Sequence, residues 1–272
     1  MIDRGRVRHA FGRQASSYET YAAVQKRVVS RFLDILTRED LAPASILDVG
    51  AGSGMLLRAL RRLYGNARAV GIDSAEGMTR TARRNLAYDP DTELLTADAE
   101  HLPIRGSSFD LVVSTSTFQW LSGLDGAFGE VFRVLEPGGC FAFALFGGET
   151  LHELRSSYDR ALSAAGRKGE NRMQRFFPEG QVAAALQRTG FDGLRIFSEL
   201  DVEIHGDVPD LLRSLKLIGA GNASPPSARG LGGRPLMLEM MKHYRETYGD
   251  DGGVRATYHI VYGIGRKPRL AE

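Results

Sequence analysis

The chain has 272 residues, 43% of them apolar, and a formal net charge of +2. That length and apolar fraction support a sizeable core in one or two domains, and so small a net charge gives no footprint for nucleic acid. No apolar run approaches twenty residues, no signal-like stretch opens the chain, the single Cys140 has no internal disulfide partner, and no Cys/His cluster has metal spacing; these features predict a soluble, cytoplasmic protein without a membrane span.

Residues 1–16 are basic and irregular, carrying Arg4, Arg6, Arg8 and Arg13, and are expected to form a solvated, flexible arm. Over 17–38 the apolar residues Tyr21, Val24, Val28, Phe32, Ile35 and Leu36 recur at helical spacing, which predicts an amphipathic helix with Tyr18 and Gln25 near its start. An apolar run then stops at Asp48 and opens into Gly50, Gly52 and Gly54, before Leu57, Leu60 and Leu63 mark a helix. Alternating glycines let a ligand approach the backbone, and the helix start offers free N–H groups and the positive end of its dipole. The spacing departs from the dinucleotide fingerprint, because Met55 stands where a third small residue would pack helix on strand. Asp48 would repel a pyrophosphate but suits a ligand bearing an ammonium group. The pattern Asp-x-Gly-x-Gly-x-Gly resembles the first motif of class I methyltransferases that use S-adenosylmethionine.

A second apolar run, 68–73, ends in Asp73, about twenty residues past the glycine turn, where a strand-end carboxylate accepts hydrogen bonds from both ribose hydroxyls. Ser74 is expected to cap a helix running through Met78. A strand over 92–96 leads to Asp98-Ala99, the place where related sites present a carboxylate to the adenine amino group. The strand 109–114 puts Ser114 and Thr115 at its carboxyl end, beside a sulfonium; Trp120, which follows, either anchors the core or walls the reaction cavity. A helix over 123–135 is stopped by Glu136-Pro137-Gly138-Gly139, and a strand over 140–146 follows. A helix over 178–188, a strand over 194–200 and a last strand over 257–265 complete the series.

Seven strands alternating with helices predict an α/β fold. The expected architecture is a class I methyltransferase, Rossmann-like, with a mostly parallel seven-stranded sheet and helices on both faces. One domain over 1–272 would hold a cofactor-binding core at 45–200, a helical lid insertion at 207–255 and the last strand at 256–265. The insertion carries the apolar face Val208, Leu211, Leu212, Leu215 and Ile218, a Gly/Pro/Ser-rich loop over 222–233 and a second helix to about residue 248.

The outer segments resemble the malonyl-[acyl-carrier-protein] O-methyltransferase family of biotin synthesis. The stretches that carry the likeness are Phe11-Gly12-Arg13 with Tyr18 and Gln25, Glu149-Thr150-Leu151-His152-Glu153-Leu154, Leu212 through Asn222, Gly230 through Arg234, and Ala256-Thr257-Tyr258-His259-Ile260-Val261-Tyr262-Gly263. The chain reads Gly219-Ala220-Gly221-Asn222 where the family pattern is Gly-Ala-Asn.

The resemblance implies S-adenosylmethionine as cofactor, held by Tyr18, Asp48, Gly50, Gly52, Gly54, Asp73, Ser74, Met78, Asp98, Ala99 and Ser114. It implies as acceptor the free carboxylate of malonyl on an acyl-carrier protein, or on coenzyme A. Such a carboxylate is already a nucleophile at neutral pH, so neither a general base nor a metal is needed, and catalysis rests on placement and exclusion of water. His101, His152 and His259 are the first to test should a base exist. Burying the carboxylate requires a cation: Arg213, Lys216 and Arg234 are the candidates in the insertion, with Arg213 and Arg234 ranked first. The basic cluster Arg167, Lys168, Arg172 and Arg175, with Glu170 opposing, is either a docking surface for an acidic carrier or a solvated connection. Methylation of another small acid or a quinone precursor, and a non-catalytic cofactor-binding assembly factor, stay open as alternatives.

Overall fold

Apolar runs bounded by turns become strands β1 (Ser45–Val49), β2 (Arg68–Asp73), β3 (Thr92–Thr96), β4 (Phe109–Thr115), β5 (Leu135–Phe146), β6 (Asp192–His205), β7 (Gly249–Asp250) and β8 (Gly253–Arg266). A computed structural model describes residues 2–87, 89–167, 171, 173–221 and 233–269. The loop 222–232, with Asn222 and Gly230-Leu231-Gly232, and Lys168, Glu170 and Arg172 of the basic cluster lie outside the described residues. The sheet order is β3-β2-β1-β4-β5-β8-β6, with the two-residue β7 added beside β8 as an eighth strand. Strands β1 to β5 pair in parallel, and β8 runs antiparallel to both β5 and β6. The order reverses between β1 and β4, which leaves a crevice outside their carboxyl ends.

The helices are α1 (Arg4–Gln14), α2 (Tyr18–Tyr21), α3 (Ala23–Leu36), α4 (Met55–Leu63), α5 (Glu76–Asn85), α6 (Asp125–Val134), α7 (His152–Ala164), α8 (Glu179–Thr189), α9 (Val208–Leu217) and α10 (Gly233–Tyr248). Strand residues alternate between two cores. Ile46, Leu111, Val113, Ala142 and Ile260 pack with α3, α4, α7, α9 and α10 on one face. Leu47, Val112, Phe141 and Phe143 pack with α6 and α8 on the other, around edge-to-face rings of Phe118, Phe128 and Phe141. Both insertion helices thus share the core of the sheet. Cys140 is buried within β5, and burial pushes its thiol up to about 11, as a core residue requires. Among the described residues no helix is long and apolar enough to cross a membrane.

Four local expectations are corrected. The basic N-terminal stretch is helical, capped by the Asp3 carboxylate, which accepts from the Arg6 amide at 3.0 Å. The helix expected over 17–38 is broken at Ala22 into α2 and α3, because Ala22 adopts φ −82°, ψ 52°. Ser74 does not cap α5: the Asp73 carboxylate two residues earlier takes the Ala75 amide at 2.8 Å. Finally, Glu136 to Gly139 belong to β5, which begins at Leu135 because that residue pairs with Phe109 and the Gly138 amide donates to Lys267 O at 2.8 Å.

Candidate active site

Strand β1 delivers the glycine turn to the crevice. Gly50, Gly52 and Gly54 have φ of 82°, 55° and 82°, a region that side chains with a Cβ avoid. The amides of Gly50 and Ala51 donate to Ile72 O at 2.7 and 2.8 Å, and the Gly52 amide donates to the Asp73 carboxylate at 2.9 Å. A Cβ on Gly50 would overlap the Thr117 side chain, whose hydroxyl donates to Gly50 O at 3.3 Å. Burial pushes the Asp73 carboxyl up to about 6, against the stabilising pull of the Ala75 and Gly52 amides.

Asp48 is 1% exposed, and neither carboxylate oxygen has a hydrogen-bond partner among the described residues. Burial, then the charge of Asp73, pushes its carboxyl up to about 8. Such a group needs a proton or a nearby cation, and in this respect the turn fits a ligand with an ammonium group. The surface of the turn is formed by Val49 and Gly50, with Asp48 behind them.

A cavity of about 120 Å³ opens over this turn, and of the expected cofactor residues Tyr18, Gly50, Gly52, Asp73, Ser74, Met78, Asp98 and Ala99 line it. Asp48, Gly54 and Ser114 do not. Gly54 faces α5, where an added Cβ would stand 3.2 Å from Ala82 Cβ, so it serves close helix packing. The Ser114 hydroxyl is turned into the sheet, donating to Val49 O at 2.6 Å, and the cavity wall is made instead by Thr115, Ser116 and Thr117.

Helices α1 and α2 roof the cavity. Glu19 on α2 accepts from Ser53 Oγ at 2.7 Å, Arg58 Nη2 at 3.1 Å and Asn85 Nδ2 at 3.2 Å, which fixes its neighbour Tyr18 beside the glycine turn. Burial, with Asp73 nearby, pushes the Tyr18 phenol up. The Arg4 guanidinium pairs with Asp98 and Glu100. Phe11 lies edge-on to Trp120 and Tyr18, with ring centroids 5.4 and 6.2 Å away. The α1 backbone crosses α5 so closely that a Cβ on Gly77 would overlap Gly12 O.

A second cavity, of about 400 Å³, meets the first at Phe11, Tyr18, Ser116 and Trp120. Its walls are largely apolar: Leu151 just before α7, Leu154 and Tyr158 of α7, Leu212 and Leu215 of α9, and Met237 and Met240 of α10. Ser116 and Leu151, with φ of 56° and 53°, hold strained backbone at its edge, as residues at functional sites often do. Gln119 Nε2 donates to Ser116 O at 2.7 Å and the Gln119 backbone carbonyl accepts from Gln174 Nε2 at 2.8 Å, while Gln119 Oε1 is buried without a partner among the described residues.

The expected carboxylate clamp is not where the sequence ranks it. Arg213 has a 68% exposed side chain and pairs with Asp210 at 2.8 Å; Arg234 is exposed at the start of α10; neither lines the cavity. The phase of α9 explains it: Leu212, Leu215 and Lys216 face inward, and Arg213 lies about 100° round the helix from Leu212. Among the described residues, the cations lining the cavity are Lys216 and Arg155. Among the described residues no histidine lines either cavity: His259 Nδ1 accepts from the Glu149 amide at 3.4 Å, His152 Nδ1 lies 3.2 Å from Glu149 O, and His101 bridges to Asp98. Arg4, Phe11, Glu19, Gln119 and Arg155 were not anticipated. Arg155 carries a readable signal, standing at i+4 in the otherwise apolar series Leu151, Leu154, Tyr158.

A methyltransferase-domain family model matches residues 47–143. The malonyl-[acyl-carrier protein] O-methyltransferase of Geobacter sulfurreducens is 53% identical over 267 residues, covering 98% of this chain and 100% of that relative. The Methylovorus enzyme of the same name is 37% identical, with 99% and 90% covered. Among solved structures, YcgJ of Bacillus subtilis superposes with a TM-score of 0.60 at 18% identity, over 88% of this chain and 97% of that one. A Haemonchus contortus phosphoethanolamine N-methyltransferase 2, solved with S-adenosyl-L-methionine, gives 0.53 at 19%, over 88% and 53%. These likenesses carry the fold, and the first two, spanning nearly the whole chain, carry the family: the chain belongs to the malonyl-[acyl-carrier protein] O-methyltransferases.

Proposed function

We propose that this protein transfers the methyl group of S-adenosylmethionine to the free carboxylate of malonyl on an acyl-carrier protein, giving the methyl ester that starts biotin precursor synthesis. The observation that carries the reading is the meeting of a polar, glycine-lined cavity with a larger apolar one at Phe11, Tyr18, Ser116 and Trp120. The cofactor supplies a methyl group already activated on a sulfonium.

In this reading the glycine turn holds the methionyl end, with the charge of Asp48 behind it favouring the ammonium, Asp73 takes the ribose, and the adenine lies toward Met78, Asp98 and Ala99. Phe11 and Trp120 keep water from the junction and Ser116 shapes its floor, so that the acceptor oxygen is aligned and partly desolvated. A carboxylate needs no base above about pH 5, and the lack of histidine in both cavities among the described residues accords with that. The whole chain works as one methyltransferase domain, with a cytoplasmic location and a carrier-borne rather than coenzyme A-borne acceptor.

The test is mass-spectrometric detection of methyl ester on malonyl-, acetyl- and succinyl-carrier protein with S-adenosylmethionine. Ester on malonyl alone is the expected result. No ester on any of the three, with cofactor bound, overturns the acceptor reading.

A further inference from the structure

We infer that Arg155 holds the free carboxylate of the acceptor and sets the preference for an acyl chain that ends in an anion. The inference rests on the proposed acceptor. A carboxylate entering an apolar cavity costs several kcal/mol unless a cation meets it. Of the two cations in the lining among the described residues, Lys216 is exposed, and its ammonium can stay in water. Arg155 is half-buried on α7, lining this cavity beside Leu151, Leu154 and Tyr158 and an adjoining cleft beside Glu149, Asp159 and Arg175.

Its partners single it out. Arg4, Arg31, Arg58 and Arg61, half-buried arginines elsewhere, each pair with a carboxylate of the protein. Arg155 forms no ion pair among the described residues, although the charges of Glu149, Asp159 and Glu153 act on it from farther off; its Nη2 donates to Gly148 O at 2.6 Å. Burial therefore lowers its affinity for the proton, though a guanidinium stays charged at neutral pH. One edge of the fork is fixed by a backbone carbonyl, and its other N–H groups remain to meet a ligand.

The fold also puts this fork on the reacting side of the sheet. Gly148 lies two residues past the end of β5, and β5 is the neighbour of β4, which delivers Ser116 to the junction of the two cavities; the Ser116 amide donates to Ala144 O at 2.8 Å. The helix start is bolted to β8 on both sides of the strained Leu151. Thr150 Oγ1 donates to His259 O at 3.1 Å, the Leu151 amide to Thr257 O at 2.7 Å, and Thr257 donates both its amide, at 3.2 Å, and its hydroxyl to the buried Glu153 carboxylate. A guanidinium mounted so firmly is preorganised for one carboxylate geometry.

The chemistry follows. With one carboxylate oxygen held by Arg155, the other forms the C–O bond to the methyl carbon as the C–S bond breaks, and the electron pair of that bond stays on sulfur. Arg155 keeps all its protons. The ester product is neutral, so the attraction that seated the acceptor is lost when the bond forms, and release is favoured.

The experiment compares wild type, Arg155→Gln and Arg155→Lys. It reads methyl transfer to malonyl-carrier protein, S-adenosylhomocysteine affinity by calorimetry, and the binding preference for malonyl- over acetyl-carrier protein with S-adenosylhomocysteine present. For Arg155→Gln, kcat/KM is expected to fall about a hundredfold or more, mainly through KM, with S-adenosylhomocysteine affinity unchanged and the malonyl-over-acetyl preference gone; Arg155→Lys recovers part of both. Should Arg155→Gln fail to bind S-adenosylhomocysteine, the Arg155→Lys preference decides, and a wild-type value there overturns the assignment. A preference retained in Arg155→Gln, beside a wild type that methylates malonyl, overturns the role of Arg155 alone. A wild type that makes no ester overturns the acceptor reading and this assignment with it.

Discussion

Arg4, near the start of the chain, forms an ion pair with Asp98, the acid that follows β3 in the wall of the glycine-lined cavity. Its other terminal nitrogen reaches Glu100. The first helix is thereby latched across that cavity by a contact between side chains 37% and 39% exposed. A pair so open to water contributes at most about 1 kcal/mol. Arg4→Ala should leave global stability nearly unchanged and speed S-adenosylhomocysteine dissociation by no more than about fivefold, with a smaller effect at high salt. Stopped-flow fluorescence of Trp120 measures it; an unchanged rate removes the latch from the roof.

Gly50 combines a left-handed φ with a Cβ position already filled by Thr117. Gly50→Ala is expected to cost about 1–3 kcal/mol of strain and to displace the turn from its ligand. Calorimetry should show cofactor binding lost while the far-ultraviolet circular dichroism stays native. Binding within twofold of wild type would contradict the turn geometry.

Asp48 should make both stability and cofactor affinity depend on pH. Its folded pKa, about 8, lies above the ordinary value of 3.8. Between these two values the unfolded chain has released a proton that the ligand-free native chain retains, so stability falls as pH rises through the window and levels above it. Asp48→Asn should remove that slope and raise the melting temperature of the ligand-free protein, most at pH 8. It should also weaken cofactor binding, and the wild-type rise in affinity toward pH 8 should vanish. Parallel melting profiles for the two proteins from pH 5 to 8 would show that Asp48 ionises normally.

Glu153 is fully buried, and Thr257 supplies it with both an amide and a hydroxyl. Thr257→Val deletes the hydroxyl at nearly constant volume and is expected to destabilise the protein by about 1–3 kcal/mol. Arg213→Ala, on the outer face of α9, should leave both stability and turnover unchanged. Urea denaturation and methyl-transfer rates check the two variants together. Loss of turnover in Arg213→Ala would return the carboxylate clamp to the insertion.

The strands and the glycine turn were legible because period and turn chemistry are local: Asp48, the glycines and Asp73 stand where spacing alone puts them. The roof was not. Helix α1 buries little of itself, since its inner face meets a ligand cavity and the backbone of Gly77, so no apolar stripe announces it and its arginines read as a solvated arm. Ser114 was misplaced because a strand end permits either of two adjacent residues to face the crevice, and the hydrogen bond to Val49 decides. Arg213 was preferred to Arg155 because the insertion drew attention to its own cations, whereas an arginine inside an apolar helical stripe is the stronger sign of a charge with work to do inside.

Phe11 belongs to two walls at once, touching the cofactor cavity on one side and the acceptor cavity on the other. A change at this one ring therefore alters both cavities together, so whatever fills one is felt at the wall of the other.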